Sequence, residues 1–481
     1  MIQSCNYVNR NGRRFVHWSV RLLPVALAVF GRGTFAESVA LEPRITAYLE
    51  TQLKAQHIPG VSVAVLRQGK LLLAKGYGLA NVELSVPATE SAVFEILSVT
   101  KQFTATAIML LAEQQKLSLD QPVSEFIPDL PKAWSPVTIL QLLNHTAGAP
   151  DYIHAAGWKE NIRLERSPGE LLKPVFQLPL EFVPGTKWKY SNSGYFLLGL
   201  VIEKVSGESY ANFLSQRIFQ PLNMTSTKVG NPRDLISNRA AGYIWNGVLL
   251  NDEYVSPSQK WAAGAVVSTA ADLAKWAQSL ENESLLGHAS LQAMLAPARL
   301  ATGENAPYGL GNELDTDHRH RLAGHQGGGI GFNAAFLNYP DDHLAVVVLA
   351  NLRGANALQL ARHIAGFVLP ELSDEDKSGI ADDPKLTQAL AGVLKAAAQG
   401  KVDPAVINPD VQAKLIPFLE QTGPRFLGRL GELRSFTLIE EATDAPNRDL
   451  RYRAKFDRGT VIWTFKLDAM NRIVSLEPRP E

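Results

Sequence analysis

Cysteine is nearly missing from this chain, with one, Cys5, in 481 residues. It falls in an N-terminal stretch expected to be removed, so the mature chain would hold none. That excludes disulfides, thiolate catalysis and cysteine-based metal sites. An excess of charge is missing too: 47 Lys and Arg face 47 Asp and Glu. Nothing in that balance favours nucleic acid or an anionic membrane surface as a partner. Long apolar runs are also lacking. Leu22-Leu-Pro-Val-Ala-Leu-Ala-Val-Phe30 is too short to span a bilayer unaided, and no later stretch is better suited. No repeat recurs at solenoid spacing. What remains is an ordinary globular composition, 46% hydrophobic and 20% charged, at a length that suits two or three domains.

The N-terminus has the layout of a secretory signal. Arg10, Arg13, Arg14 and Arg21 make it basic, the short apolar run follows, and Thr34-Phe-Ala36 ends in a small residue before Glu37. Cleavage near Ala36 is expected, giving a secreted or periplasmic protein with no integral span.

Strands are expected at 61–68 and 70–77, joined at Gly69, because both runs are apolar or alternating and glycine permits a tight turn. A helix carrying Ser98 should run to about Lys116. Helices are also expected at 139–143, 195–205 and 270–280, the last with Ser268-Thr269 as its cap. Strands return at 332–339 and 344–349 around Pro340-Asp-Asp342, and an amphipathic helix covers 356–368. Strands at both ends and helices between them suggest one sheet built from both termini of the domain, with a helical lobe inserted. The domains are expected at 1–36 (signal), 37–372, 373–384 (a charged linker) and 385–481. The last is read as a small α+β domain with helices at 386–400 and 411–419 and four short strands. Tyr452, Ala454 and Phe456 alternate there with Arg451, Arg453 and Lys455, which predicts one wet face.

Three short patterns can carry chemistry. Ser98-Val-Thr-Lys101 puts a hydroxyl and an amine one helical turn apart, so a neutral Lys101 can take the serine proton. Alone, the same spacing suits a surface helix pair. Tyr190-Ser-Asn192 offers a phenol that can relay protons and an amide that can orient a lysine or a substrate amide. Gly324-His-Gln-Gly-Gly-Gly-Ile-Gly331 offers backbone N–H groups to an oxyanion and lets a ligand lie against the chain. Without a following Gly-Lys-Ser/Thr it does not read as a phosphate loop, and without a Gly-x-Ser-x-Gly elbow it does not read as an α/β-hydrolase loop.

In that order the three patterns resemble the serine β-lactamase and penicillin-recognising hydrolase family, in its class C-like branch with D-aminopeptidases, DD-carboxypeptidases and β-lactamase-fold esterases. Leu142-Leu-Asn-His-Thr-Ala-Gly148, Phe182-Val-Pro-Gly-Thr-Lys-Trp188, Ala263-Gly-Ala-Val-Val-Ser-Thr-Ala-Ala-Asp272 and Tyr308-Gly-Leu-Gly311 extend the resemblance over about residues 40 to 370. It implies a two-lobed α/β β-lactamase-like fold, an antiparallel sheet flanked by helices plus the inserted lobe. It implies Ser98 as acylated nucleophile, Lys101 and Tyr190 as acid–base groups and Asn192 as their orienter. The N–H groups of Ser98 and Gly328 would form the oxyanion hole, with His325 and Gly327 lining the site. No cofactor or metal is implied, and the substrate would be a small molecule or short peptide. The second reading is a penicillin-recognising sensor with little turnover.

One physical demand follows: holding a lysine neutral at pH 7 costs about 4 to 5 kcal/mol against its usual pKa. Either burial supplies that shift, or Tyr190 acts as a phenolate. One departure from the family pattern also matters. His325-Gln-Gly327 replaces the Lys-Thr-Gly of β-lactamases, and a largely neutral histidine anchors a substrate carboxylate poorly. Esters, D-amino-acid amides and short peptides are therefore expected ahead of penicillins. His145 is read as structural, and Trp188, Trp261 and Trp276 as packing residues. His318 and His320, interleaved with Arg319 and Arg321, are read as a solvated charged loop. The C-terminal domain looks somewhat like NTF2-like folds.

Overall fold

The computed structural model describes residues 32–373, 383–444 and 447–480. Most of the expected signal and most of the linker lie outside the described residues. A helix, Arg32–Gln56, crosses the expected junction at Ala36.

The strand Gly60–Arg67 turns into Lys70–Asn81 through Gln68 and Gly69, both at positive φ (51° and 68°), as a tight type I′ connection requires. On its other side Gly60–Arg67 pairs antiparallel with Leu344–Ala350, Val61 facing Ala350. The sheet runs on through Asn333–Tyr339 and His320–Gly328 to the edge strand Glu313–Asp317. With the short Val86–Pro87 at the other edge it has seven strands. The expected sheet built from both ends of the domain is what the chain forms.

Leu344–Ala350 is buried along its whole length and has no wet face. One side of the sheet carries Val61, Val63 and Val346 into a core under Arg32–Gln56 and Ala357–Val368, with Ile45, Leu49, Leu360 and Ile364. The other side joins a larger core shared with the helical lobe, which includes Phe103, Trp134, Phe196 and Trp276. Burying each such side chain is worth about 1.5–3 kcal/mol.

In that lobe the helix Thr100–Glu113 is buried at eleven positions. Five of these are polar or charged, and they are satisfied. Gln102 Nε2 donates to Asn312 Oδ1 (2.8 Å), its Oε1 accepts from Trp276 (3.1 Å), and Thr104 bonds Ala262 O and the Tyr210 hydroxyl (2.7 Å each). A fully partnered interior helix is a rigid mount for the side chains at its N-terminus. Ala270–Glu281 starts on Thr269, whose side chain accepts from Asp272 N at 3.0 Å, as its cap signal predicts.

A second sheet, Leu433–Asp444, Asn447–Phe456, Gly459–Leu467 and Ile473–Pro480, is a simple antiparallel meander. It packs with Pro384–Ala398 and Pro409–Leu430 around Leu390, Leu394, Tyr452, Trp463 and Phe465. Three expectations need correcting here. The second helix runs well beyond 411–419, through Pro417 and Pro424. The wet face is only partial, since Arg453 is buried and Arg451 donates to Glu440 at 2.9 Å. The charged stretch around His318 is not a solvated loop. Asp317 and His318 are buried, and Arg479 of the last strand donates to Asp317 Oδ1 at 2.9 Å. Charges that alternate in sequence look exposed, but here the C-terminal sheet lies over them.

Candidate active site

Ser98 sits in the short turn Leu97–Val99 that leads into Thr100–Glu113. Leu97 has φ of +50°, the left-handed region that a bulky residue occupies at a cost of about 1–3 kcal/mol. The strained turn lies against the strand His320–Gly328. A Cβ on Gly327 would come within 2.3 Å of Ile96 O, so only glycine lets the strand lie this close to the Ser98 turn. That contact is the physical reason for the glycine two residues after His325.

Lys101 is fully buried, and its Nζ has three polar neighbours: Ala263 O at 2.7 Å, Asn192 Oδ1 at 2.9 Å and Ser98 Oγ at 3.2 Å. Asp151 fixes which atom Asn192 presents. Its Oδ2 accepts from Asn192 Nδ2 at 2.9 Å and from the Asn192 backbone N–H at 3.0 Å. A carboxylate only accepts, so the amide nitrogen turns to Asp151 and the amide oxygen to Lys101. Burial pushes the Lys101 pKa down to about 7, against an upward pull from Asp151 and Glu313. Once neutral, the amine has two hydrogens and a lone pair. The hydrogens have Ala263 O and Asn192 Oδ1 to go to, which leaves the lone pair for the Ser98 hydroxyl.

Tyr190 completes the group. Its ring centre is 4.8 Å from Lys101 Nζ, and its hydroxyl shares a hydrogen bond with Ser98. Burial drives its pKa well above the usual value for tyrosine, outweighing that hydrogen bond, so the phenol keeps its proton. His145 packs against it at 4.3 Å between ring centres and accepts the Ser191 N–H at Nδ1 (3.2 Å), consistent with a structural residue that seats the Tyr190 segment.

Ser98, Asn192, Gly328 and Gly329 line one cavity of about 170 Å³. His325 does not line it. It is buried in the strand with both ring nitrogens engaged: Nδ1 donates to Gln326 O at 2.7 Å, which leaves Nε2 to accept the Tyr308 hydroxyl at 2.8 Å. Burial, helped by the charge of Lys101, pushes its pKa down to about 3. It is therefore neutral, more firmly than the sequence suggests, and has no free nitrogen for a carboxylate.

Sequence alone brings Ser98, Lys101, Tyr190 and Asn192 into one cluster but gives no role to Asp151, Glu313, Ala263 or Tyr308, the last two known from it only as the starts of stretches that carry the family resemblance. Asp151 carried a faint signal, since it also caps the turn Tyr152–His154. Ala263 acts through its backbone and leaves no trace in residue type.

The Beta-lactamase family model matches residues 45–369. This chain belongs to that family. It is 32% identical to Penicillin-binding protein 4* of Bacillus subtilis over 309 residues, covering 60% of this chain and 67% of that one. It is similar in structure to a D-amino acid amidase from Ochrobactrum anthropi SV3 (26% identity, TM-score 0.60), covering 68% of this chain and 99% of that one. A penicillin-binding protein homologue from Pyrococcus abyssi aligns over 91% of this chain and 98% of that one, with TM-score 0.62. At 23% identity that likeness shows shared fold alone, and it extends into the C-terminal domain. Among the described residues no helix is long and apolar enough to cross a membrane.

Proposed function

We propose that this β-lactamase-family protein is an exported serine hydrolase that cleaves an ester, amide or peptide bond through an acyl-enzyme. The observation that carries the reading is the buried amine of Lys101. Its two acceptors are Asn192 Oδ1 and Ala263 O, and its third neighbour is the Ser98 hydroxyl at 3.2 Å. Neutral Lys101 takes the Ser98 proton as Oγ attacks the carbonyl carbon. The oxyanion is held by the N–H groups of Ser98 and Gly328. When the tetrahedral species collapses, the bond to the leaving atom breaks and Tyr190 gives that atom a proton, restored from Lys101. Water then attacks the acyl-enzyme with the same groups reversed. A phenolate base is the weaker alternative, because burial raises the Tyr190 pKa while it lowers that of Lys101.

The neutral, fully bonded His325 argues against substrates that need a cationic anchor, penicillins among them. Export rests on the basic, apolar and small-residue order of residues 10–36. A fluorophosphonate probe should label the wild type and not Ser98→Ala. No labelling of the wild type would sink the reading, and labelling without turnover of any ester or D-amino-acid amide would leave a sensor. Rapid nitrocefin turnover would overturn the argument from His325.

A further inference from the structure

A second cavity, of about 360 Å³, opens beside Tyr190. Trp188, Tyr190 and Tyr308 form part of its wall, with Tyr308 6.4 Å from the Trp188 ring and 6.2 Å from that of Tyr190 between centres. Glu313, at the start of the edge strand, lines the same space. Its carboxylate accepts from Gln326 Nε2 at 3.3 Å and lies 3.7 Å from Nδ1 of the neutral His325. Among the described residues no Lys or Arg lies within ion-pair distance of it. Arg362, which also lines the cavity, is already paired with Asp315 at 2.5 Å. The cavity therefore has aromatic side chains in its wall, Tyr308 among them fully buried, and a carboxylate held by Gln326 but paired with no Lys or Arg, a combination that attracts a cation.

Its position gives it a role. In the mechanism above, on which this inference rests, Tyr190 protonates the leaving atom, so the leaving group departs along the Tyr190 side of Ser98. We propose that this cavity receives the leaving group and selects one that carries a positive charge, with Glu313 as the specificity-determining residue. The substrate class is then an ester or amide whose alcohol or amine half bears an ammonium group. A carboxylate-bearing leaving group is disfavoured, since it would meet Glu313 and the cation beside it, Arg362, is already held by Asp315. The covalent step is unchanged: the acyl carbon passes to Ser98 Oγ, and the leaving oxygen or nitrogen departs with the bond pair and takes the Tyr190 proton.

Three butyryl esters test this at pH 8, where Glu313 is ionised, burial having raised its pKa only to about 7. They are butyrylcholine, its isostere with a tert-butyl group in place of trimethylammonium, and the ester of a hydroxy acid of similar length. In the wild type kcat/KM should favour the choline ester over the isostere by about tenfold, with the hydroxy-acid ester slowest. In Glu313→Gln the choline-to-isostere ratio should fall towards one. Each ratio is taken within one preparation, so partial misfolding cancels. A wild-type ratio near one, or a ratio that Glu313→Gln does not move, overturns the inference while Ser98-dependent hydrolysis of the neutral ester keeps the mechanism intact. No Ser98-dependent turnover of any of the three overturns the leaving-group assignment together with the mechanism. Choline binding, followed by Trp188 fluorescence with Trp188→Phe as control, tests the cavity without turnover. A saturable change that weakens about tenfold in Glu313→Gln supports a cation site, and its absence overturns one.

Discussion

Two of the buried charged groups in this molecule behave in opposite ways. Lys101 and Asp317 are both almost fully buried. The neighbours of Lys101 are neutral: a serine hydroxyl, an amide oxygen and a backbone carbonyl. Those of Asp317 include cations. Arg479 donates to it at 2.9 Å, Arg362 Nε lies 3.8 Å away, His318 Nδ1 is at 3.1 Å and the Tyr339 hydroxyl donates at 2.8 Å. Burial alone would raise the Asp317 pKa, yet the His318 hydrogen bond and the charges of Arg479 and Arg362 outweigh it, and the carboxyl is held far below its usual range. For Lys101 burial wins and the pKa falls to about 7. Partner supply, more than depth, separates a group poised to exchange a proton from one that holds two domains together.

The sharpest way to break this contrast is Lys101→Met, which keeps an unbranched side chain one atom shorter and removes the base. We expect kcat/KM on a neutral ester to fall by about a thousandfold or more, with the fold retained by circular dichroism. Normal turnover would mean that another group is the base.

Asp317→Asn attacks the other side. It leaves the Arg479 and Arg362 guanidiniums short of their shared counter-charge, and should cost about 3 kcal/mol in thermal or urea unfolding. Because the folded pKa is depressed, the stabilising contribution is present above the unfolded carboxyl pKa of about 3.9 and is lost as pH falls below it. The wild type should therefore lose this advantage over Asp317→Asn below about pH 4. An unchanged gap there would show that Asp317 is not the acid-sensitive group.

The mildest test sharpens the Lys101 half. Its neutral form grows as pH rises through about 7, so kcat/KM should climb about tenfold between pH 6 and 8. A flat profile across that window would place the base elsewhere.

These contrasts also explain what the sequence could and could not reveal. The strand pair around Gly69, the returning strands at Asn333–Tyr339 and Leu344–Ala350 and the helix Ala270–Glu281 are local in origin. Apolar alternation, a turn residue and a cap residue suffice to indicate them. Ser98, Lys101, Tyr190 and Asn192 were legible because their spacing is stereotyped. Glu313 and Asp317 were not, since each draws its character from a neighbour outside any local window. The partner of Asp317 lies 162 residues away, and no window of local pattern reports a domain folding over a charged strand. His325 was half legible: its residue type implied a mostly neutral group, while its full commitment to Tyr308 and Gln326 needed the strand's neighbours.

The pairing of the first strand with Leu344–Ala350 bears on how the molecule is made. Gly60 N–H donates to the side chain of Asn351 at 2.7 Å across 291 residues of chain. At ribosomal speeds that stretch takes about 15 to 60 s to synthesise. Until the second half of the sheet arrives, the helix bearing Lys101 lacks part of the wall that excludes water from it, and its amine is an ordinary protonated lysine. The nascent chain thus carries Ser98, Lys101, Tyr190 and Asn192 well before it has the site's acidity. Reactivity arises only when the two ends of the domain meet.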